Sequence, residues 1–420
     1  MSQLASAWKT VSVTWRFVVV CLAALIVRAV YAFLLVGPTP TTDTSQYLAR
    51  AEALLTTGDF GPPIWSPGYP VAMATIIGLF GHYPHSVMTY GVILSTLACG
   101  LIYLASRELF GEKVGVLAAA YSTIYYPLVD YSRYLLTETQ FIFFLVLSAA
   151  LLSSHERISK TRLLAGGAAL GFAAFSRGTG LAIMPFVLLL GLTALGPRST
   201  DFRSRLPSVG LLLAGFAIVV MPWTLRNALR YGHFTAVASE GGYVFYLGAD
   251  EGWVMQREWD LEKVMALTGH SGNAQWDFYG PEDEGPLMKY WFQYWLIDPV
   301  KHIRLRLVSF YDFWWPIERV YFPGVTAGTV YRWIGYAALL PFAAVGAIVA
   351  LRRRQAGTYF VLAVVIGVMT LQTLTYANEE RLRVPVSPFL IILAAFGVAW
   401  AQSTLQQSRT SRDNRPRLAS

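Results

Sequence analysis

The sequence predicts an all-α polytopic membrane protein, and three observations support this fold class. The chain has 420 residues, of which 55% are apolar and only 14% charged, and its mean hydropathy is +0.46. A soluble domain carries about 25% charged residues. The apolar residues form blocks of 16 to 23 residues, and short basic turns separate many of these blocks. These features exclude a soluble enzyme, a disordered protein and a secreted disulfide scaffold.

The apolar blocks predict about ten transmembrane helices, because most of them approach the length needed to cross the hydrocarbon core. They lie near 14–36, 87–105, 114–131, 136–153, 161–176, 179–195, 207–223, 331–351, 357–376 and 386–402. The first block is too long for a signal peptide and no A-x-A-like cleavage site follows it, so we expect it to be retained as the first transmembrane helix.

An eleventh apolar segment, 67–81, is predicted not to cross the membrane. If it does not cross and the N-terminus is cytoplasmic, the cytoplasmic segments hold 17 Lys/Arg and 5 Asp/Glu, and the rest of the chain holds 16 and 20. If it crosses, most of those cations move outside, against the positive-inside rule. We therefore expect a re-entrant or surface-lying segment and two cytoplasmic termini. The net charge of +8 reflects this sidedness and does not indicate a nucleic acid partner.

This topology divides the chain into four parts. They are a transmembrane core at 1–225 with a juxtamembrane first outer loop at about 37–86, an outer loop at 226–330, C-terminal transmembrane helices at 331–402, and a basic cytoplasmic tail at 403–420. Within the outer loop, apolar residues recur at three- and four-residue spacing over 284–313, with an interruption at Asp298-Pro299. This spacing predicts amphipathic helices, and the aromatic residues among them favour a small outer cap at the membrane surface.

Two acidic residues lie where the predicted outer loops meet the membrane. Asp43 comes soon after the first helix and fits the N-cap of a helix over 44–56, a role that does not exclude a catalytic one. Glu138 lies at the start of an apolar block, where a carboxylate is costly unless it is paired or functional. Arg133 or the helix dipole would balance it in the structural alternative.

Arginines occur in the outer loops, against the positive-inside trend. They are Arg133, Arg177, Arg226, Arg381 and Arg383. Snorkelling to the interface explains any one of them. Together, and beside acidic residues, they favour an outer-face site for an anionic phosphate on a lipid, because guanidinium groups match phosphate geometry. Tyr47, Trp65 and Tyr69 of the first outer loop are either sugar-stacking residues or interface anchors.

Cysteine and histidine give no indication of a metal site. The two cysteines, Cys21 and Cys99, lie inside apolar blocks and are expected to be buried apolar residues. The histidines at positions 82, 85, 155 and 233 form no pair with metal-ligand spacing.

Several motifs, in this order and topology, resemble those of the GT-C superfamily of membrane glycosyltransferases. They are Asp43-Thr-Ser-Gln-Tyr47, Trp65-Ser-Pro-Gly-Tyr-Pro70, Tyr131-Ser-Arg133 leading to Thr137-Glu138, Ser176-Arg177-Gly178, Pro222-Trp-Thr-Leu-Arg226-Asn227, Gly241-Gly242 to Leu247-Gly248, and Arg381-Leu-Arg383-Val-Pro385-Val-Ser-Pro388. The chain is similar to the branch of protein O-mannosyltransferases and bacterial lipid A aminoarabinose transferases. The resemblance implies a GT-C fold in the plasma (inner) membrane, with a juxtamembrane first outer loop.

The resemblance also implies roles for individual residues. Asp43 matches the first-loop carboxylate that acts as general base on the acceptor hydroxyl or orients it, and Glu138 matches a second acidic position. Arg226, Arg381 and Arg383 match cations near the donor phosphate, and Arg177 is a further match. Protein O-mannosyltransferases follow the first-loop Asp with Glu, whereas Thr44 follows Asp43 here, which argues against a protein acceptor by analogy.

The predicted function is inverting transfer of a sugar from a polyprenyl-phosphate carrier to a glycolipid, cell-envelope glycan or protein acceptor at the outer face. No cofactor is firmly predicted, although Asp43 and Glu138 could together hold a divalent cation. A polytopic transporter or flippase of lipid-linked sugars is the alternative. Such a protein would more often show an internal repeat and polar residues at the midplane, and the sequence shows neither.

Overall fold

The computed structural model describes residues 2–153, 158–194, 202–232, 234–256, 260–269, 281–315, 327–353, 356–375 and 380–413. Nearly all of these residues are helical, and the sole β-type pairing among them is an isolated bridge between Thr39 and Tyr134. The all-α prediction is therefore confirmed.

Nineteen α-helices are present in the described residues. In chain order they are α1 (Ser2–Ala29), α2 (Thr42–Thr57), α3 (Gly68–Phe80), α4 (His85–Phe110), α5 (Glu112–Ile124), α6 (Tyr126–Asp130), α7 (Glu138–Leu152), α8 (Lys160–Ser176), α9 (Thr179–Ala194), α10 (Leu206–Tyr231), α11 (Gly241–Ala249), α12 (Glu251–Gln256), α13 (Leu261–Thr268), α14 (Glu284–Ile297), α15 (Pro299–Trp314), α16 (Ala327–Arg352), α17 (Ala356–Thr375), α18 (Glu380–Arg383) and α19 (Ser387–Asp413). A π-helical segment, Val30–Val36, extends α1, and short 3₁₀ turns lie at Phe202–Arg205, Pro281–Asp283 and Val384–Val386.

The described parts of the ten predicted apolar blocks are mostly helical. Five helical segments have the length and apolar composition needed to cross a membrane: Ser12–Val36, His85–Phe110, Leu206–Tyr231, Thr329–Arg352 and Arg381–Gln407. Shorter apolar helices occur in α3, α7, α9 and α17. Large apolar side chains on the outside, such as Leu34, Ile218 and Ile334, are more than 60% exposed, as expected of helices that face lipid rather than water.

The segment predicted not to cross, 67–81, forms α3. Its 13 residues span about 20 Å at 1.5 Å per residue, well short of the roughly 30 Å hydrocarbon core. The helix packs against α2 and α4, and Tyr69 and Met73 on its inner face are buried. The first loop thus contributes two helices, α2 and α3, that lie between α1 and α4 in the chain.

The block predicted as one helix over 114–131 is divided, because its helix breaks at Tyr125. Tyr125 is extended, with φ −64° and ψ 109°. Pro127 follows and has no N–H to donate to the carbonyl of Thr123 four residues earlier. Arg28 of α1 replaces the missing donors: its Nη1 lies 3.2 Å from the Thr123 oxygen and its Nη2 lies 3.2 Å from the Ser122 oxygen. Arg28 is fully buried.

Glycines allow a close helix contact between α8 and α10. A Cβ at Gly167 would meet the carbonyl of Leu212, and one at Gly215 would meet the carbonyl of Leu164. Small residues at such crossings are typical of helix packing in membranes, because they allow the backbones to approach closely.

The described residues of the predicted outer cap are mostly helical, and the break between two of its helices lies at the expected position. α14 ends at Ile297, and Asp298 caps α15 by accepting a hydrogen bond from the Lys301 amide at 3.0 Å. Arg306 of α15 donates to the carbonyls of Thr373 and Leu374 at 2.8 and 2.7 Å. These carbonyls belong to the last turn of α17, where the helix itself provides no N–H donors for them. Arg306 of the cap supplies the missing donors.

Candidate active site

A cavity of about 270 Å³ opens where the first outer loop, α8, α11, α17 and α18 meet. Its charged lining residues are Asp43, Arg177, Glu240 and Arg381, and its aromatic lining residues are Tyr47, Trp65, Tyr243 and Trp253. Four of these eight, Asp43, Tyr47, Trp65 and Arg177, come from the first half of the chain, while the other four come from its second half. The fold therefore creates this cavity from segments that are far apart in the sequence.

The loops that carry Asp43 and Glu138 are joined by backbone hydrogen bonds. The Thr39 amide donates to the Arg133 carbonyl and the Leu135 amide donates to the Thr39 carbonyl, each at 3.3 Å. The Thr44 hydroxyl also donates to the Leu135 carbonyl at 3.0 Å. These contacts place the start of α2 against the segment that leads into α7.

The prediction that Asp43 is the N-cap of its helix is wrong. Thr41 is the N-cap of α2, and it forms a reciprocal capping box with Thr44. The Thr41 amide donates to the Thr44 hydroxyl at 2.8 Å. Because the two threonines satisfy the helix terminus, the Asp43 carboxylate in the first turn is available to the cavity. Its Oδ2 accepts a hydrogen bond from Arg381 Nη1 at 2.5 Å.

Glu138 is paired with Arg177, and the predicted pairing with Arg133 is wrong. Arg177 Nη1 lies 2.6 Å from Glu138 Oε1 and 3.3 Å from the Thr137 hydroxyl. Glu138 is almost completely buried, so this ion pair offsets the cost of its charge. Arg177 and Thr137 line the cavity. Glu138 does not line it, and its ion pair fixes the position of the Arg177 guanidinium.

Arg133 belongs to a separate buried cluster. Its Nη2 lies 2.7 Å from Asp130 Oδ1, and Arg332 Nη2 lies 2.5 Å from Asp130 Oδ2. The Tyr31 hydroxyl also donates to Asp130 Oδ1 at 2.9 Å. Asp130 is fully buried. It lies three residues before Arg133 in the chain, and Arg133 pairs with it instead of with Glu138. Arg133, which was predicted to lie in the substrate pocket, does not line this cavity.

The predicted donor-phosphate arginines do not form one group. Arg226 donates to the Gly61 carbonyl at 3.0 Å and to Asp59 at 3.3 Å, and its guanidinium lies 4.5 Å from the Trp223 ring centre. Arg383 is buried and donates to the Trp315 carbonyl at 2.6 Å. Neither lines the cavity, whereas Arg177 and Arg381 do.

The predicted aromatic residues form one cluster beneath and beside the cavity. The ring centres of Tyr47 and Trp65 are 6.0 Å apart, and those of Tyr47 and Tyr69 are 5.5 Å apart, both in edge-to-face arrangements. Tyr47 and Trp65 line the cavity, but Tyr69 is 3% exposed and lies behind them. Tyr69 thus supports the aromatic wall.

Glu240 is a lining carboxylate that the sequence analysis missed. It comes directly before α11, and the preceding Ser239 donates its amide to the Pro63 carbonyl at 2.8 Å. Burial raises the pKa of Glu240 to about 7; the nearby charge of Arg177 opposes the shift and that of Asp43 adds to it. The sequence signal that could have found Glu240 was an acidic residue directly before the Gly241-Gly242 pair. In the structure the second glycine allows close packing, because a Cβ at Gly242 would meet the backbone of Glu284.

The possible divalent cation at Asp43 and Glu138 stays a prediction. Asp43 and Glu138 each hold an arginine, and no group of three or more His, Cys, Asp or Glu among the described residues is placed to hold a metal ion. His155 and His233 lie outside the described residues, as do Asn378 and Glu379 of the last outer turn.

Comparison with known proteins gives one family match and several structural matches. Residues 63–225 match the sequence model of the family described as dolichyl-phosphate-mannose-protein mannosyltransferase. No curated protein matches the sequence. These matches agree with the resemblance stated from the motifs: part of the chain is similar in sequence to that family, and the solved structures share the fold.

Two of the structural matches carry lipid phosphates. One is ArnT from Cupriavidus metallidurans bound to undecaprenyl phosphate, with a TM-score of 0.57, 14% identity, and coverage of 97% of this chain and 64% of ArnT. Another is the archaeal oligosaccharyltransferase AglB from Archaeoglobus fulgidus with an inhibitory peptide and a dolichol-phosphate, with a TM-score of 0.55, 13% identity, and coverage of 97% and 53%. The chain thus shares their fold and spans less than two thirds of the length of either protein.

Proposed function

We propose that the protein is an inverting glycosyltransferase that moves a sugar from a polyprenyl-phosphate donor to an acceptor at the outer face of the plasma membrane. The observation that carries the proposal is the cavity lined by Arg381 and Arg177, each of which is paired with a carboxylate: Asp43 in the lining and Glu138 behind it. The shared fold adds support, because one protein of that fold has been solved with undecaprenyl phosphate.

The donor phosphate is expected to bind at Arg381 and Arg177. Both line the cavity, and a guanidinium carries five N–H groups, so it can hold a carboxylate and a phosphate oxygen together. The polyprenyl chain would lie along the exposed apolar helices. As the bond between sugar and phosphate breaks, charge grows on the phosphate oxygens, and cations placed there stabilise the transition state more than the bound substrate.

Arg383 and Arg226 have supporting roles in this proposal. Arg383 holds α18, which also carries Arg381, through its bond to the Trp315 carbonyl. Arg226 and Arg230 share Asp59 at the end of α10, so this cluster has one more positive than negative charge. It could receive the donor phosphate before transfer.

The acceptor hydroxyl attacks the anomeric carbon on the face opposite the phosphate, which inverts the configuration. The carbon–oxygen bond to phosphate breaks and its electron pair stays on the phosphate. Asp43 either takes the hydroxyl proton or orients the hydroxyl, and proton transfer of this kind contributes roughly 10² to 10⁴-fold to the rate. Trp65 and Tyr47 form the apolar wall against which sugar rings can stack.

The test uses the full-length protein in liposomes with a panel of labelled polyprenyl-phosphate monosaccharides and envelope lipids as acceptors. Wild type should transfer label, and Asp43→Asn should lose nearly all of it while eluting as a folded protein. Glu52→Gln, at an exposed position of the same helix, is the matched control and should keep full activity. Full activity of Asp43→Asn would refute the assignment. Movement of the donor across the bilayer without transfer would support the flippase alternative.

A further inference from the structure

The two carboxylates that line the cavity, Asp43 and Glu240, and the one behind it, Glu138, are not equivalent. Asp43 accepts a charge-assisted hydrogen bond from Arg381 at 2.5 Å, and Glu138 accepts one from Arg177 at 2.6 Å. Within the part of the chain that the structure describes, Glu240 has no ion-pair partner. A carboxylate on a guanidinium must weaken that bond to take a proton, whereas Glu240 has no such bond to lose.

The backbone fixes Glu240 at the cavity wall. Ser239 ties this segment to the first outer loop at Pro63 through its amide and its hydroxyl, at 2.8 and 3.3 Å. The Glu240 carboxylate lies over Gly178: an added Cβ there would be 3.6 Å from Glu240 Oε1 and 3.9 Å from the Ser66 hydroxyl. The carboxylate therefore lies within van der Waals reach of the residue that follows Arg177, and the charge of Arg177 acts on it.

Charged groups surround Glu240 from several elements. Arg177 follows α8, Arg381 lies in α18, Asp43 lies in α2 and Glu284 begins α14. The Tyr47 hydroxyl is also close enough to interact electrostatically with the Glu240 carboxylate. Burial is the largest influence on the pKa of Glu240, which is raised to about 7. A general base works best when its pKa lies near the operating pH.

We propose that Glu240 is the proton acceptor of the transfer reaction, and that Asp43, held by Arg381, orients the acceptor hydroxyl. The inference rests on the proposed function. The hydroxyl oxygen bonds to the anomeric carbon, the bond from that carbon to the phosphate oxygen breaks, and the phosphate keeps its electron pair. The hydroxyl proton moves to the Glu240 carboxylate and is later released to solvent. The products are the glycosylated acceptor and the polyprenyl phosphate.

The proposal predicts a specific pH dependence. Glu240 must be ionised to accept a proton, so kcat/KM of the wild type should fall about tenfold per pH unit as the pH drops below about 7. Glu240→Gln should lose roughly 10² to 10⁴-fold in kcat/KM and should show no such acid limb. Glu240→Asp should retain the limb at a lower rate, since it keeps a carboxylate.

The experiment measures transfer by full-length variants in liposomes between pH 5 and 9, together with binding of undecaprenyl phosphate. Glu240→Gln should bind undecaprenyl phosphate within about twofold of wild type, which a collapsed cavity would not do. Glu284→Gln is the matched control: its pKa is also raised to about 7 by burial and by Glu240, but it does not line the cavity. It should keep the acid limb.

Two outcomes overturn the inference in distinguishable ways. If the wild type transfers sugar and Glu240→Gln keeps a normal rate or an unchanged acid limb, Glu240 is not the base, although the proposed function stands. If the wild type transfers sugar from no polyprenyl-phosphate donor, the proposed function itself fails and the inference fails with it.

Discussion

Replacing Arg177 with Met should destabilise the protein, because it leaves the Glu138 carboxylate buried without its cation. The Arg177 and Glu138 side chains are 17% and 2% exposed, and their charged atoms are 2.6 Å apart. With charge centres roughly 4 Å apart and an effective dielectric constant of about 20, their attraction is about 4 kcal/mol. Measured losses on breaking buried pairs are about 3–5 kcal/mol, so we expect Arg177→Met to cost an amount in that range.

A second variant separates stability from catalysis. In the double variant Arg177→Met with Glu138→Gln the Glu138 charge is removed together with its partner, so most of the lost stability should return. If Arg177 also binds the donor phosphate, the double variant should remain inactive, with a loss of at least about 10²-fold in kcat.

The assay combines titration with sodium dodecyl sulfate, which reports the free energy of unfolding, with the liposome transfer assay. Arg107→Met is the control for stability, because Arg107 forms partly exposed pairs with Glu108 and Glu112, which typically contribute no more than about 1 kcal/mol. An Arg177→Met protein as stable as wild type would refute the reasoning about the buried pair. Full activity of the double variant would refute the phosphate role.

Two further predictions concern the membrane core and the topology. Arg28→Met should lower the free energy of unfolding by about 2 kcal/mol, because the Thr123 carbonyl loses its side-chain donor and the Ser122 carbonyl keeps only the thiol of Cys99; unchanged unfolding in the same titration would contradict the assigned contacts. In a background without the two native cysteines, Glu262→Cys should react with a membrane-impermeant maleimide in intact cells and Ser403→Cys only after lysis, and the reverse pattern would invert the proposed orientation.

The sequence predicted the helices well because each depends mainly on local composition. A long apolar block forms a helix in lipid regardless of its partners, since the backbone has no other donors and acceptors there. The exception was the block at 114–131, where Pro127 removes a donor and breaks the helix at Tyr125. The break needed Arg28 of another helix to satisfy the freed carbonyls, and this partnership has no local signal.

The candidate site was predicted only in part, because its pairings are long-range. Asp43 was identified from its position after the first helix, but its partner Arg381 is 338 residues away. Local spacing suggested Arg133 for Glu138, whereas the fold supplies Arg177. Glu240 was missed because an acidic residue in a long loop is ordinarily a solvated one, and only the fold brings it to the cavity.

The position of Arg28 has a consequence for how the protein is assembled. Its hydrogen-bond acceptors outside its own helix lie on α4 and α5, which are synthesised after α1. When the first span enters the bilayer, the guanidinium therefore has no such acceptors, and an unpaired arginine at a helix centre costs about 2.5–3.5 kcal/mol on insertion scales. The high hydropathy of Ser12–Val36 offsets this cost until the later helices arrive. The arginine then favours docking of α1 onto α4 and α5 over dispersal in lipid, which makes the order of synthesis part of how the bundle forms.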